Sequence, residues 1–141
     1  MKIDVFSINE TWLDNTVSDG EIAIQDFQVF RADRDRRGGG TLLYVRDSLK
    51  VKHRKDLTPE NKELEVCWIE IKPSSGSVIL VCSLYRPPSA NEAYYDSMLD
   101  NITMAQSQNK EIIILGDLNI DYKVDENYIR TLCTIWKISL N

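Results

Sequence analysis

Two uninterrupted apolar runs, Val78-Ile79-Leu80-Val81-Cys82 and Ile112-Ile113-Ile114-Leu115, constrain this chain more than any other feature. A run of mostly β-branched residues with no polar residue at alternate positions reads as a strand covered on both faces. Between the two runs, Tyr95, Met98, Leu99, Ile102 and Ala105 recur at three- and four-residue spacings, which builds one apolar stripe on a helix. Pro87-Pro88 cannot continue the preceding strand, and Ser89 with Glu92 has the form of a capping box, so the helix is expected to start there. Strand, helix and buried strand in that order imply layers, with a helix lying on a sheet.

The upstream half adds further strands. Short runs rich in β-branched residues and bounded by turn formers predict strands at Ile3–Ile8, Phe27–Arg31, Thr41–Arg46, Val51–Lys55 and Leu64–Ile71, beside Val78–Leu84 and Glu111–Leu115. Glu65–Ile71 alternates polar and apolar residues over most of its length, which predicts one wet face. A second, shorter helix is expected from Asn127 to about Trp136, with Ile129, Leu132, Cys133 and Trp136 on one side. The expected class is α/β (α+β): a layered α/β sandwich with two mixed β-sheets flanked by helices. With 141 residues and 43% apolar content, the chain can bury one core, so a single unit is expected.

Several classes are excluded. No apolar stretch of about 18 residues marks a membrane helix, and the Met-Lys-Ile-Asp start lacks the pattern of a signal peptide. Cys67, Cys82 and Cys133 are odd in number and form no Cys-x-x-Cys pair, so they read as reduced core residues of a nuclear or cytoplasmic protein that is not secreted. The sequons at Asn9 and Asn101 are discounted on the same ground. A net charge of −5 argues against a simple polyanion binder, but its distribution is uneven. Between Arg31 and Lys55 lie nine of the 17 basic residues against three acids, a net +6 that leaves −11 for the rest. That segment is either a solvated strand pair or a basic flank for a nucleic-acid backbone.

The acids of interest follow buried strands, where loops of open α/β sheets converge on ligands. Glu10 comes directly after the first strand, and Asp117 with Asn119 follows the last, in Gly116-Asp117-Leu118-Asn119. A hard cation such as Mg²⁺ needs only one or two carboxylates beside water and substrate phosphates, so Glu10 suffices as an anchor. Taken singly, Glu10 is an ordinary loop acid and Asp-x-Asn an ordinary turn. Gly38-Gly39-Gly40, preceded by Arg36-Arg37, lacks the Gly-Lys-Ser/Thr ending of a phosphate loop and opens a strand, so it reads as a turn or bulge. His53 reads as a surface strand residue without a catalytic part, and Asp121 and Asp125 as loop acids.

The motifs gain weight from their order. Glu10-Thr11-Trp12-Leu13, Gly38-Gly39-Gly40-Thr41-Leu42-Leu43-Tyr44-Val45, Ser83-Leu84-Tyr85-Arg86-Pro87-Pro88 and Gly116-Asp117-Leu118-Asn119-Ile120-Asp121 occur in one series. That series resembles the endonuclease/exonuclease/phosphatase family, in particular the endonuclease domain encoded by non-LTR retrotransposons beside a reverse transcriptase. The resemblance implies hydrolysis of a phosphodiester in DNA by water, with Mg²⁺ as cofactor and Mn²⁺ as an alternative. It implies that Glu10 binds the metal, that Asp117 and Asn119 orient the attacking water and the scissile phosphate, and that Tyr85 contacts that phosphate. It further implies DNA contacts from Arg36, Arg37 and Arg86, and a reverse transcriptase domain in the parent protein.

The pattern departs from the family at both ends. A first strand bearing an active-site asparagine and C-terminal strands bearing an Asp-His pair are missing, so residues 1–141 are expected to form a partial domain of low activity and marginal stability. One alternative is an inactive transposon-derived remnant that binds nucleic acid; another is a lipid or inositol phosphodiesterase, or a deadenylase.

Overall fold

The computed structural model describes residues 3–59 and 64–119. Seven strands run as β1 (Val5–Asn9), β2 (Phe27–Ala32), β3 (Thr41–Arg46), β4 (Lys50–His53), β5 (Glu65–Lys72), β6 (Ile79–Tyr85) and β7 (Glu111–Asp117). A helix, α1 (Glu92–Gln106), connects β6 to β7, and a single 3-10 turn covers Asp19–Ile22. All seven expected strands are therefore present. The expected helix from Asn127 to Trp136 lies outside the described residues, as do Cys133, Asp121 and Asp125.

The strands form two sheets. The first, in order β1-β3-β2, is wholly antiparallel; the second, in order β4-β5-β6-β7, is antiparallel except for the parallel pair β6/β7. Parallel neighbours need a crossover connection, and α1 supplies it. The expected layered α/β architecture is thus observed, as sheet on sheet with a helix on the outer face of the second. Among the described residues no helix is long and apolar enough to cross a membrane.

Two apolar layers hold the three tiers together. Leu43 and Val45 of the first sheet meet Cys67, Ile69, Ile71 and Val81 of the second. On the other side, Val66, Trp68, Leu80, Cys82 and Leu84 pack against Tyr95, Met98, Ile102 and Ala105 of α1. Tyr95, Met98 and Ile102 are buried, which stabilises by roughly 1.5–3 kcal/mol each. Within that layer Trp68 Nε1 donates to Asn101 Oδ1 at 2.8 Å, and Asn101 Nδ2 donates to the Leu57 carbonyl at 2.9 Å. Asn101 is thus a core hydrogen-bonding residue, in keeping with its discounted sequon.

Four expectations are corrected. The alternation in β5 predicts one wet face, but both are covered. Val66 and Trp68 face the helix while Cys67, Ile69 and Ile71 face the first sheet, and the one acid at the strand start, Glu65, is itself buried. Conversely, the run in β7 predicts cover on both faces, yet Ile113 is 41% exposed. β7 is the outermost described strand of its sheet, and the narrower first sheet covers only part of that face.

The helix starts later than Ser89. Ala90 N–H donates to the Pro87 carbonyl at 3.0 Å, so the chain turns over residues 87–90, and Asn91 caps α1 through Oδ1 to Tyr94 N–H at 2.9 Å. His53 is on a strand, as expected, but half-buried against the edge of Phe30, 5.6 Å between ring centres.

Candidate active site

Between the sheets, the apolar layer gives way to polar side chains toward the C-terminal ends of β1 and β6. Ser83 Oγ bonds Ser7 Oγ at 2.5 Å and also Thr41 Oγ1. Asn9 Nδ2 donates to Thr41 Oγ1 at 2.9 Å and to the Leu84 carbonyl at 3.2 Å. These bonds satisfy buried polar atoms and tie the sheets at the level where β1 ends. The next residue is Glu10.

Glu10 is held from three sides. Its Oε2 accepts from Trp12 Nε1 at 2.6 Å and from Gly39 N–H at 2.9 Å, and its Oε1 accepts from the Tyr85 hydroxyl. Trp12 N–H returns to the Gly39 carbonyl at 3.0 Å, so the loop after β1 is laced to the glycine turn before β3. Glu10 and Trp12 both adopt left-handed backbone, φ 56° and 55°, and Asn119 joins them at 45°. Such values are uncommon outside glycine; Asp26 and Asn109 share them in turns just before β2 and β7, while these three stand in the loops that follow β1 and β7.

Parallel pairing of β6 with β7 brings in the second acid. Tyr85 and Asp117 are register partners, and Asp117 Oδ1 accepts from Asn119 N–H at 2.9 Å in a local turn. Asn119 Nδ2 donates to the Arg86 carbonyl at 2.8 Å, and Arg86 N–H to the Asp117 carbonyl at 2.9 Å. The Arg86 guanidinium donates to the carbonyls of Leu118, Asn119 and Ala90 at 3.3, 3.0 and 3.4 Å. Arg86 thus clamps the turn that carries Asp117. Glu10, Tyr85, Asp117 and Asn119, drawn from three separate stretches of sequence, are gathered at one end of the sandwich.

Sequence reasoning missed the support beneath them. Glu65, 4% exposed, accepts from Gly40 N–H at 2.5 Å and pairs with Arg34 at 2.8 Å. Its own N–H donates to the Tyr94 hydroxyl at 3.2 Å, which in turn donates to the Tyr85 carbonyl at 2.8 Å. Burial raises the Tyr94 pKa, which keeps the phenol proton available for that bond. The Gly-Gly-Gly run does open β3 as a turn, bridged between Asp35 and Gly38, with φ 153°, 70° and 86° at its glycines. A Cβ at Gly39 would collide with the Glu65 carboxylate, and one at Gly40 with Thr11 Oγ1. The triple glycine itself was a signal for close approach of an acid.

The basic segment is not one continuous face. Arg31 pairs with Asp19 and Asp33, Arg34 with Glu65, Arg36 with Asp14, Arg37 with Asp35, Arg46 with Asp4, and Arg54 with Asp56 and Glu70. Acids outside the segment, Asp4, Asp14 and Asp19 ahead of it and Asp56, Glu65 and Glu70 after it, offset most of the +6. Arg36 and Arg37 lie on the turn that leads into Gly39, with side chains 59% and 89% exposed, whereas Arg46 is at the opposite end of β3.

Among the described residues no group of three or more His, Cys, Asp or Glu is arranged to hold a metal ion. The side chains gathered at this end offer oxygen donors, without the thiolate or imidazole ligands that zinc and copper favour. A hard cation is a different case, because it accepts few protein ligands. Glu10 Oε1 carries one hydrogen bond from Tyr85, so a lone pair is left, whereas Oε2 already accepts two.

The comparisons with known proteins bear on the fold and the family. Among curated proteins none matches the sequence. A solved structure described as the endonuclease domain of TRAS1, a telomere-specific non-LTR retrotransposon, superposes with a TM-score of 0.68 at 18% identity. The match covers 94% of this chain and 58% of that one, so the chain spans little more than half the length of its structural neighbour. At that identity the likeness concerns the fold. The family model described as "Endonuclease/Exonuclease/phosphatase family" matches residues 2–131, nearly the whole sequence. The chain belongs to the endonuclease/exonuclease/phosphatase family.

Proposed function

We propose that this chain carries part of the active site of a Mg²⁺-dependent phosphodiesterase that nicks DNA, encoded by a retrotransposon together with a reverse transcriptase. The observation that carries the reading is the convergence of Glu10, Tyr85, Asp117 and Asn119 at one end of the sandwich. In this reading Glu10 holds the metal through Oε1, and Mn²⁺ is an adequate substitute. Bound there, such an ion would neutralise charge that develops on the phosphate oxygens. The exposed Asp117 carboxylate orients the attacking water and accepts its proton, Asn119 positions the phosphate, and the Tyr85 hydroxyl turns its one proton from Glu10 to a phosphate oxygen. Arg36 and Arg37 meet the DNA backbone, and Arg86 adds positive charge behind the Asp117 turn.

DNA is favoured over a lipid or inositol phosphate by the nature of the structural neighbour, an endonuclease domain. A DNA substrate implies action in the nucleus or cytoplasm. Turnover by the chain alone is expected to be low. Its single histidine, His53, is on β4, away from the Glu10 and Asp117 strand ends, so no imidazole assists proton transfer.

The test is nicking of supercoiled plasmid in Mg²⁺ or EDTA by wild type, Glu10→Ala and Asp117→Ala. Metal-dependent nicking that falls about a hundredfold or more in each variant supports the assignment. Nicking that survives EDTA or either substitution refutes it. Salt-sensitive DNA binding without nicking would favour a remnant that binds but no longer cuts.

A further inference from the structure

Trp12 combines features that rarely meet in one residue. The residue is 55% exposed, its backbone is left-handed, and its Nε1–H is fixed on the Glu10 carboxylate at 2.6 Å. Burial of an indole's large apolar surface favours folding, and a left-handed tryptophan opposes it, so stability alone would select neither. Strain of this kind persists where it serves a site. The neighbouring structure reinforces the placement: Trp12 N–H is bonded to Gly39, and Arg36 reaches back to Asp14 and to Thr16 Oγ1 on the same loop. The aromatic ring and the basic turn therefore form one laced unit.

We propose that Trp12 is a stacking platform for a nucleobase of the strand whose phosphate is engaged at Glu10. This rests on the phosphodiesterase reading above and deepens it. The site then recognises a nucleotide rather than an isolated phosphodiester. The hydrogen bond at the ring edge leaves the indole solvent-exposed, and it fixes the side chain before binding, so little rotamer freedom is lost on stacking. Exposed aromatic surface beside exposed guanidinium groups is the combination that holds unpaired nucleic-acid strands, where stacking supplies contact and Arg supplies charge. Trp12 is the only exposed large aromatic among the described residues; the other exposed large apolar side chains are aliphatic.

The test uses the full chain with Ca²⁺ in place of Mg²⁺ to suppress cleavage, and fluorescence anisotropy with two labelled probes of equal length. One is a single-stranded oligonucleotide with bases; the other carries abasic sites throughout. Trp12→Ala is expected to weaken binding of the first probe about tenfold, whereas Trp12→Phe stays within about threefold of wild type. The abasic probe is expected to bind all three proteins alike.

Equal losses in Trp12→Phe and Trp12→Ala would overturn the proposal, because the indole N–H would then be what matters. An abasic probe weakened as much as the first would overturn it as well, since Trp12 would only brace the loop. So would no binding of either probe by wild type, or binding by a protein partner that Trp12→Ala abolishes while oligonucleotide affinity is untouched. Failure of the nicking assay alone would refute the hydrolase reading while base-dependent binding persisted, which keeps the two failures distinct.

Discussion

The Glu65 carboxylate caps the amide of Gly40 from inside the sandwich, Oε2 to N at 2.5 Å, and the turn it holds presents Gly39 N–H to Glu10 at 2.9 Å. A buried acid that touches no solvent-exposed group of the site thus sets the position of the exposed one. Glu65→Ala leaves the Gly40 amide buried without its acceptor, at a cost of about 2–3 kcal/mol. Glu65→Gln keeps an acceptor but loses the charge opposite Arg34, and about half that cost is expected, since Arg34 is partly solvated. Urea midpoints of the three proteins measure this; equal midpoints for Glu65→Ala and wild type would show that the cap is energetically idle.

Gly116 precedes Asp117 in left-handed backbone at φ 137°, and a Cβ there would collide with the Leu84 carbonyl of β6. Gly116→Ala must therefore separate β6 from β7 at the point where Tyr85 and Asp117 are paired. A loss of about 3 kcal/mol or more is expected, against about 1 kcal/mol for Gly76→Ala, which shares positive φ but meets nothing within 4 Å. Denaturant unfolding of both variants tests the contrast, and comparable losses would mean that the contact with Leu84 relaxes freely.

His53 is the single histidine, and burial, with the Lys55 charge second, holds its pKa below the ordinary 6.5. The unfolded chain therefore takes up a proton at a pH where the folded one does not. This contribution to stability is complete above about pH 6.5 and is lost as pH falls through the lower, folded value. A declining urea midpoint from pH 7 to pH 5 is expected in wild type, and a flatter profile in His53→Phe. A profile of unchanged slope in the variant would assign the effect elsewhere.

Burial pushes the Cys67 thiol up to about 12, with the Asp33 charge adding to it, and pushes Cys82 well above its usual value. Neither is a nucleophile in the folded protein. Ellman's reagent at pH 8 is expected to leave both unlabelled until denaturant is added, as peptide mapping of the labelled protein would show. Rapid labelling of Cys67 or Cys82 in native buffer would indicate that the sheets open.

Much of this molecule is written locally. The runs that became β6 and β7, and the stripe of Tyr95, Met98, Ile102 and Ala105 on α1, declare themselves because hydrophobic periodicity follows backbone geometry within a few residues. Glu10, Asp117 and Asn119 were legible for a related reason: each directly follows a strand that could be recognised, and the ends of β1, β6 and β7 meet in space. Helix capping was less so. Ser-x-x-Glu at 18–21 does act as a cap, the Glu21 carboxylate accepting the Ser18 N–H at 2.8 Å, while at 89–92 the turn begun by Pro87 passes the capping role to Asn91.

What a strand pattern does not contain is its partners. The sequence by itself determined seven strands, one helix and which acids stand at strand ends. Only the tertiary structure decided that Glu65 is buried under a glycine turn 25 residues away, that acids outside the basic segment offset it, and that Trp12 lies open beside Glu10. Periodicity is a property of neighbours along the chain, whereas the burial and pairing of a charge depend on strand register and sheet packing that bring distant residues together.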